Sequence, residues 1–155
     1  MSGNWVDPWT YNPWGQPPGE YRWMFQTIFF ESATIPLLAN TGFKLHISVH
    51  EDDADALARV ALPTLRLLRV HHKVVRDLET YRGMNTRNQR GKFITIYPGA
   101  ARPSQRVVDA LDSTVGRFRR GPSPSTRQSG HREYEIRVGQ SGLFSTYWCQ
   151  DYAND

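Results

Sequence analysis

The chain has a single cysteine, Cys149, so it can form no internal disulfide framework. It also lacks a Cys/His spacing suited to structural zinc, and nothing in it calls for a metal or an organic cofactor. The N-terminal residues show no basic segment followed by an apolar run, and no stretch is long enough to span a bilayer. These absences predict a cytoplasmic protein that does not act at a membrane.

Lysine is also scarce. Of the 19 basic residues only Lys44, Lys73 and Lys92 are lysines, and the others are arginines. Arginine stays protonated at any working pH, whereas a lysine crowded by other cations can lose its proton and act as a base. Biased codon usage would explain the count equally well. However, all three lysines fall on or beside predicted strands, which favours a functional role.

The proportions of residue types are those of a soluble globular protein, with 39% hydrophobic and 22% charged residues. A chain of 155 residues suits one domain with its own core. The net charge of +4 favours an anionic partner, and phosphopeptide, nucleic acid and acidic lipid are all candidates on charge alone.

The clearest pattern is the alternation from Phe43 to His50, which predicts a β-strand. Its apolar residues would lie on one side, and Lys44, His46 and Ser48 on the other. A half-buried strand that faces plain solvent more usually carries Thr, Glu, Arg or Lys than a lysine and two histidines, here His46 and His50, at this spacing. We therefore interpret this strand as the floor of a site.

The segments after this strand predict further helices and strands. Acidic residues at 51–53 start a helix whose leucines recur as far as residue 68, and residues 71–78 form a short strand. Strand, helix and strand at this spacing indicate a βαβ-like unit. Residues 81–91 predict an Arg-rich loop, and residues 92–98 a strand that a proline ends.

The two ends of the chain complete the prediction. Residues 1–23 contain four prolines and four tryptophans, which indicates an extended arm that packs on the domain or on a partner. After a helix capped by Ser104, residues 132–149 predict a hairpin. We expect an α+β fold, with a single domain over 42–155 that has a mixed sheet of about five strands and two main helices. The Trp- and Pro-rich arm and an apolar lead-in precede it over 1–41.

Three segments, in the order found here, resemble the N-terminal lyase domain of class III and IV lanthipeptide synthetases. They are Lys-Leu-His-Ile-Ser at 44–48, Lys-Val-Val-Arg-Asp-Leu at 73–78 and Gly-Lys-Phe-Ile-Thr-Ile-Tyr-Pro at 91–98. That domain is similar to the phosphothreonine lyases that bacterial pathogens use against host kinases. The resemblance covers roughly residues 42–140. It implies a stand-alone or excised lyase with a separate kinase and cyclase as partners.

The resemblance implies elimination of phosphate from phosphoserine or phosphothreonine in a precursor peptide, which leaves dehydroalanine or dehydrobutyrine. Lys73 matches the family's base, for which a neutral amine is required. His46 is the implied acid, since a protonated imidazole can release its proton near neutral pH. Lys44, on the same predicted strand face as His46, would stabilise the enolate.

Other cations would hold the phosphate oxygens, because guanidinium and phosphate meet in a two-point geometry. The candidates are Arg87, Arg90, Lys92 and Arg137, with Tyr97 as a hydrogen-bond donor and Arg127, in a basic loop, as a group that closes over bound phosphate. Strand alternation places Lys92 and Tyr97 on opposite faces, so both reach one site only if a bulge intervenes. Of these two we favour Lys92.

Two interpretations without catalysis compete with the lyase hypothesis. A nucleic-acid binder would interleave aromatic and basic residues on an exposed sheet face. The strand at 43–50 carries no such aromatic residues, so we expect no nucleic-acid partner. An accessory protein that holds a precursor peptide would suit the Trp-rich arm. It becomes the preferred hypothesis if Lys44, His46 and Lys73 do not converge in space.

Overall fold

The computed structural model describes residues 20–24, 28–124 and 135–154, which form one seven-stranded sheet with three α-helices. The strands are β1 (Tyr21–Trp23), β2 (Phe29–Ser32), β3 (Gly42–Ile47), β4 (His72–Val75), β5 (Ile94–Gly99), β6 (Ile136–Val138) and β7 (Phe144–Cys149). The helices are α1 (Ala54–Leu67), α2 (Leu78–Met84) and α3 (Ala101–Val115), and 3-10 turns cover Glu51–Asp53 and Tyr152–Asn154. The strand order in space is β1-β2-β4-β5-β3-β7-β6.

The α+β class is confirmed, whereas the predicted size and type of the sheet were wrong. Every neighbouring pair of strands is antiparallel, so the sheet is not mixed. The two strands beyond the predicted five are β1, in the predicted extended arm, and β2, in the apolar lead-in that follows it. They pair with each other, and β2 also pairs with β4. Residues 1–19 of the predicted arm lie outside the described residues.

The predicted βαβ-like unit exists in a modified form. β3, α1 and β4 follow one another in the chain, but β5 lies between the two strands and is antiparallel to both. β3 and β4 are therefore parallel to each other without being hydrogen-bonded. This insertion brings the segment that contains Lys92 and Tyr97 between the other two segments that carry the resemblance.

Two local predictions were also wrong. Residues 78–84, assigned in part to an Arg-rich loop, form α2, because the Asp77 side chain caps its start by accepting from the Thr80 N–H at 2.6 Å. Ser104 does not cap α3. It lies within the first turn, where its hydroxyl donates to the Ala100 carbonyl, and Ala100 is the N-cap residue.

The hydrophobic core lies on one side of the sheet. Leu45 and Ile47 of β3 and Ile94 and Ile96 of β5 are fully or almost fully buried there. α1 and α3 contact each other, and α3 contacts β3 and β5. Because side chains alternate along a strand, the polar residues of these strands point to the opposite side. No helix in the described ranges is long and apolar enough to cross a membrane.

A buried histidine ties the start of β4 to β1. His72 is fully buried, and its Nδ1–H donates to the Val70 carbonyl at 2.8 Å. Its Nε2 accepts from the Tyr21 hydroxyl at 2.8 Å, and that hydroxyl in turn accepts from Arg66. Burial lowers the pKa of His72 to about 4, and the charges of His71 and Arg66 act in the same direction.

We predict that this histidine makes the fold acid-sensitive. The unfolded chain takes up a proton at His72 below about pH 6.5, but the folded chain does so only near pH 4, so folding stability falls as the pH drops through this window. The loss at full protonation is about 3 kcal/mol. Urea unfolding at pH 7 and pH 4.5 should show a clearly smaller loss for His72→Asn than for the wild-type protein. Equal losses in the two proteins would contradict the assignment.

Candidate active site

A row of polar side chains crosses the sheet on the side away from the core. The register aligns Lys73 of β4 with Thr95 of β5, and Thr95 with His46 of β3. His46 is opposite Ser145 of β7, which is opposite Arg137 of β6. Residues directly opposite on antiparallel strands point to the same face. Lys73 and His46 are thus separated by one strand, at about 10 Å between Cα atoms, and only a threonine lies between them.

Lys44 shares this face one pleat from His46, as the alternation predicted. Its Nζ lies 5.3 Å from the centroid of the Tyr97 ring, and the Lys73 Nζ lies 5.9 Å from the same centroid. Tyr147, directly opposite Lys44 on β7, places its ring 5.9 Å from the Lys44 Nζ and stacks on the His46 imidazole. The two amines and the imidazole therefore gather around two tyrosine rings.

Lys73 also has an aromatic contact on its other side. Its Nζ lies 4.2 Å from the centroid of the Phe29 ring of β2. Phe29 and Tyr97 thus hold the end of a half-buried lysine side chain between them. This limits the directions in which the amine can point.

His46 is paired with a carboxylate that the sequence analysis missed. Its Nδ1 lies 2.7 Å from Oε1 of Glu135, and both side chains are buried. The Ser145 hydroxyl donates to the same Oε1 at 2.8 Å. Because the carboxylate can only accept, Nδ1 carries the proton and Nε2 is the nitrogen left for another partner. The second carboxylate oxygen, Oε2, is buried and has no hydrogen-bond partner among the described residues.

The electrostatic environment of the pair comes from burial and two lysines. Burial lowers the pKa of His46, Glu135 opposes this, and the charges of Lys92 and Lys44 lower it further. For Glu135 burial alone would raise the pKa, but the pairing with His46, the Ser145 hydroxyl and the charge of Lys92 outweigh it, so its pKa is lowered. Glu135 is therefore a carboxylate at neutral pH.

Lys92 and Tyr97 both belong to this region, although strand alternation set them on opposite faces. β5 begins at Ile94, so alternation along the strand does not fix the direction of Lys92. Lys92 is buried and close enough for its charge to act on His46 and Glu135. The register of β3 with β5 also shifts between Phe43 and Leu45, which places a bulge opposite Lys44.

The predicted arginines lie further out. Arg87 is exposed and Arg90 half-buried, in the turn that leads from α2 to Gly91. Arg137 is exposed and donates to the Ser123 hydroxyl at 3.1 Å. It lines a cavity of about 250 Å³ together with Arg120, Ser48 and Glu135. Arg127 lies outside the described residues.

The structure brings together five residues that the sequence analysis named, and beside them lie residues that it did not name. The five are Lys44, His46, Lys73, Lys92 and Tyr97. Glu135 follows the predicted basic loop and lies 89 residues from His46, so no local pattern links the two. Ser145 and Tyr147 alternate on β7 and share a face with the row, which a correct register for the hairpin would have indicated. Nothing in the sequence around Phe29 pointed to Lys73.

Comparison with known families identifies a match over most of the chain. The sequence profile of the RamC N-terminal domain family matches residues 22–130, which include Lys44, His46, Lys73, Lys92 and Tyr97 but not Glu135 or Arg137. A comparison with curated protein sequences gave no match.

Several solved structures are similar in fold. The type III effector and phosphothreonine lyase OspF from Shigella flexneri superposes with a TM-score of 0.55 at 15% identity, over 86% of this chain and 70% of that chain. The phosphothreonine lyase SpvC from Salmonella gives 0.57 at 19% identity, over 82% and 66%. The VirA phosphothreonine lyase effector from Chromobacterium violaceum gives 0.56 at 15% identity, over 84% and 64%. This chain thus spans about two-thirds of the length of these effectors, and it shares their fold.

Gly91 allows the turn before Lys92 to approach the segment at Gly121 and Pro122. Its φ is 74°, in the region that favours glycine. A Cβ added there would lie 2.1 Å from the Pro122 carbonyl oxygen and 2.8 Å from the Ser48 hydroxyl. That hydroxyl donates to the same carbonyl at 2.5 Å. A side chain at this position would therefore displace the wall of the cavity beside Glu135.

We predict that Gly91→Ala destabilises the protein by more than about 1 kcal/mol. Alanine is strained at this positive φ, and its methyl group would meet the Pro122 carbonyl. Gly83→Ala is the matched control, since it lies in α2 and an added Cβ meets nothing within 4 Å. That change should be neutral or stabilise by up to about 1 kcal/mol. Urea unfolding of both variants measures the difference, and a neutral Gly91→Ala would contradict the packing described.

Proposed function

The chain belongs to the RamC N-terminal domain family, and we propose that it is a phosphoserine/phosphothreonine lyase. In this proposal it eliminates phosphate from a phosphorylated, lanthipeptide-type precursor peptide to give dehydroalanine or dehydrobutyrine, in the cytoplasm and with a separate kinase and cyclase. The observation that carries it is the gathering of Lys73, Lys44 and His46 on one sheet face, with both amines against the Tyr97 ring. The shared fold with phosphothreonine lyases supports it.

The reaction needs no second substrate. The Cα–H bond breaks and its proton goes to the neutral amine of Lys73, while the electron pair forms the Cα=Cβ bond. The Cβ–O bond breaks, and the departing phosphate takes a proton from Nε2 of His46. The products are the dehydroamino acid residue and inorganic phosphate, and water is not consumed.

The Glu135 carboxylate explains how a buried histidine can serve as the acid. The carboxylate accepts a hydrogen bond from Nδ1–H, and this orients the ring so that Nε2 faces the substrate. Its negative charge also opposes the burial and the two lysines, which lower the pKa of His46. A bound phosphate dianion adds negative charge beside the ring and further favours the imidazolium form.

Lys44 and Lys92 supply positive charge where negative charge develops. Both are buried, with 3% and 7% of their surface exposed, so their electrostatic effect is less screened than at the surface. Lys44 lies between the Tyr97 and Tyr147 rings and suits the enolate oxygen. Lys92, which acts on His46 and Glu135, suits the phosphate.

A peptide-holding protein without chemistry is the second candidate. The His46 side chain is only 2% exposed, which favours this role because a catalytic acid must be reached by its substrate. The lyase hypothesis requires that substrate binding opens access to Nε2. The two functions differ in what they do to a bound phosphopeptide.

We predict that incubation with a phosphothreonine peptide, without nucleotide or metal, releases phosphate and gives a product lighter by one water than the dephosphorylated peptide. Lys73→Ala should lower the rate by at least about a hundredfold while the fold and peptide binding are retained, because it removes the base. Mass spectrometry and phosphate release measure turnover, and fluorescence anisotropy measures binding. Intact phosphopeptide with binding retained in the wild-type protein would establish the holding role, and normal turnover in Lys73→Ala would refute the assigned base.

We predict that Glu135→Gln shifts the pH profile of turnover. The glutamine oxygen can still accept from Nδ1–H, but the negative charge that raises the pKa of His46 is lost. The imidazolium form is then lost at lower pH, so the fall in rate on the alkaline side should move to lower pH. Ser145→Ala is the matched control, since it removes a hydrogen bond to the carboxylate and keeps its charge. An unshifted profile in Glu135→Gln would show that Glu135 has only a structural role.

A further inference from the structure

A second concave surface adjoins the candidate site at Tyr97. This groove, which we name the flanking groove, has a volume of about 210 Å³ and lies between the loop before β3, the end of α1 and the start of α3. Its lining includes Leu38, Arg69, Val70, Tyr97, Pro98 and Arg106. Leu38 is 88% exposed, so the described residues leave this apolar wall uncovered. The volume suits one side chain rather than a whole ligand.

Tyr97 connects the flanking groove to the reacting groups. Its ring lines the groove and also lies 5.3 and 5.9 Å from the amines of Lys44 and Lys73. A substrate peptide with its phosphorylated residue beside these amines is therefore separated from the groove by about the width of the Tyr97 ring. An extended peptide advances about 3.3–3.6 Å per residue, so this corresponds to about two residues.

The charges around the groove have one sign. Arg69 and Arg106 line it, and none of its lining residues is an aspartate or glutamate. The Arg69 guanidinium donates to the Thr34 carbonyl at 3.4 Å, which leaves its other donors for a ligand. The groove therefore offers guanidinium groups, and no competing carboxylate, to an acidic residue bound in it.

The backbone at Arg69 is unusual for this residue type. It follows the C-cap residue of α1, Leu68, with a φ of 57°. Glycine or asparagine is preferred at such a position, because other residues are strained there. Arg69 is the one non-glycine residue with a positive φ among those described. Strained residues of this kind cluster at ligand-binding positions, and here the strained residue is one of the two cations of the groove.

From these observations we infer that the flanking groove is a specificity site for the substrate peptide. It binds an apolar side chain about two residues from the phosphorylated residue, and Arg69 and Arg106 bind an acidic residue adjacent to that side chain. This inference rests on the proposed function, since it assigns the peptide that the lyase takes. The groove would select substrate peptides by flanking residues that do not take part in the reaction.

The test uses synthetic phosphothreonine peptides that differ only in the flanking residues. One pair carries leucine or alanine two residues before or after the phosphothreonine, and another carries aspartate or lysine next to that leucine. We expect the leucine peptide to exceed the alanine peptide in kcat/KM by about tenfold. We expect the aspartate peptide to exceed the lysine peptide by about fivefold. Anisotropy measures the binding of the same peptides in parallel.

Arg106→Glu should abolish or reverse the preference for the aspartate peptide over the lysine peptide. Arg59→Glu is the matched control, because it makes the same charge change at an exposed site on α1 that does not line the groove. Its preference should remain that of the wild-type protein.

The outcomes separate this inference from the proposed function. Peptide preferences in binding without any turnover would support the flanking groove and overturn the lyase. Turnover and binding that are indifferent to the flanking residues, or to Arg106→Glu, would overturn the groove and leave the lyase standing. A Leu38→Ala variant that changes the oligomeric state in size-exclusion chromatography would identify the groove as a contact between two copies of the chain, which would also overturn the inference.

Discussion

The structure around the candidate site depends on one buried carboxylate, that of Glu135. The same face of the sheet buries His46, Lys44 and Lys92, and burial of like charges without an opposite charge is strongly unfavourable. Glu135 is the one buried carboxylate among the residues that the structure describes. Its Oε1 accepts from His46 and Ser145, and its Oε2 has no hydrogen-bond partner in the part of the chain that the structure describes. Leaving Oε2 unpaired costs stability. In return, the hydrogen bond from Nδ1 to the carboxylate fixes which imidazole nitrogen faces the other groups.

The antiparallel sheet turns distant segments into one site. Lys73, His46 and Arg137 belong to three strands that are far apart in the chain, but the register places them in one row with small hydroxyl residues between them. The modified βαβ arrangement puts β5 between β4 and β3, so Tyr97 can contact both amines. One cavity lies beside Glu135, and the other is lined by Tyr97, two residues along β5 from Thr95 of the row.

Some residues of the fold and the candidate site could be predicted from the sequence and others could not, for physical reasons. The alternation at 43–50 correctly separated Leu45 and Ile47 from Lys44 and His46, because a side chain's face on a strand depends only on its neighbours. α2 was missed because Arg82 within it and the arginines that follow it resemble a loop, although Asp77 is an ordinary helix cap. Glu135 was out of reach, since its pairing with His46 arises from the register of β3, β7 and β6 and not from any local pattern.

The central claim is that an amine on β4 removes a Cα proton while an imidazole on β3 protonates the leaving phosphate. The most direct measurement is the rate of phosphate release from a phosphothreonine peptide deuterated at Cα. The account predicts a rate several times slower than with the protonated peptide, and a product without deuterium at that carbon. An unchanged rate, with the deuterium retained and the threonine hydroxyl restored, would be hydrolysis and would contradict the account.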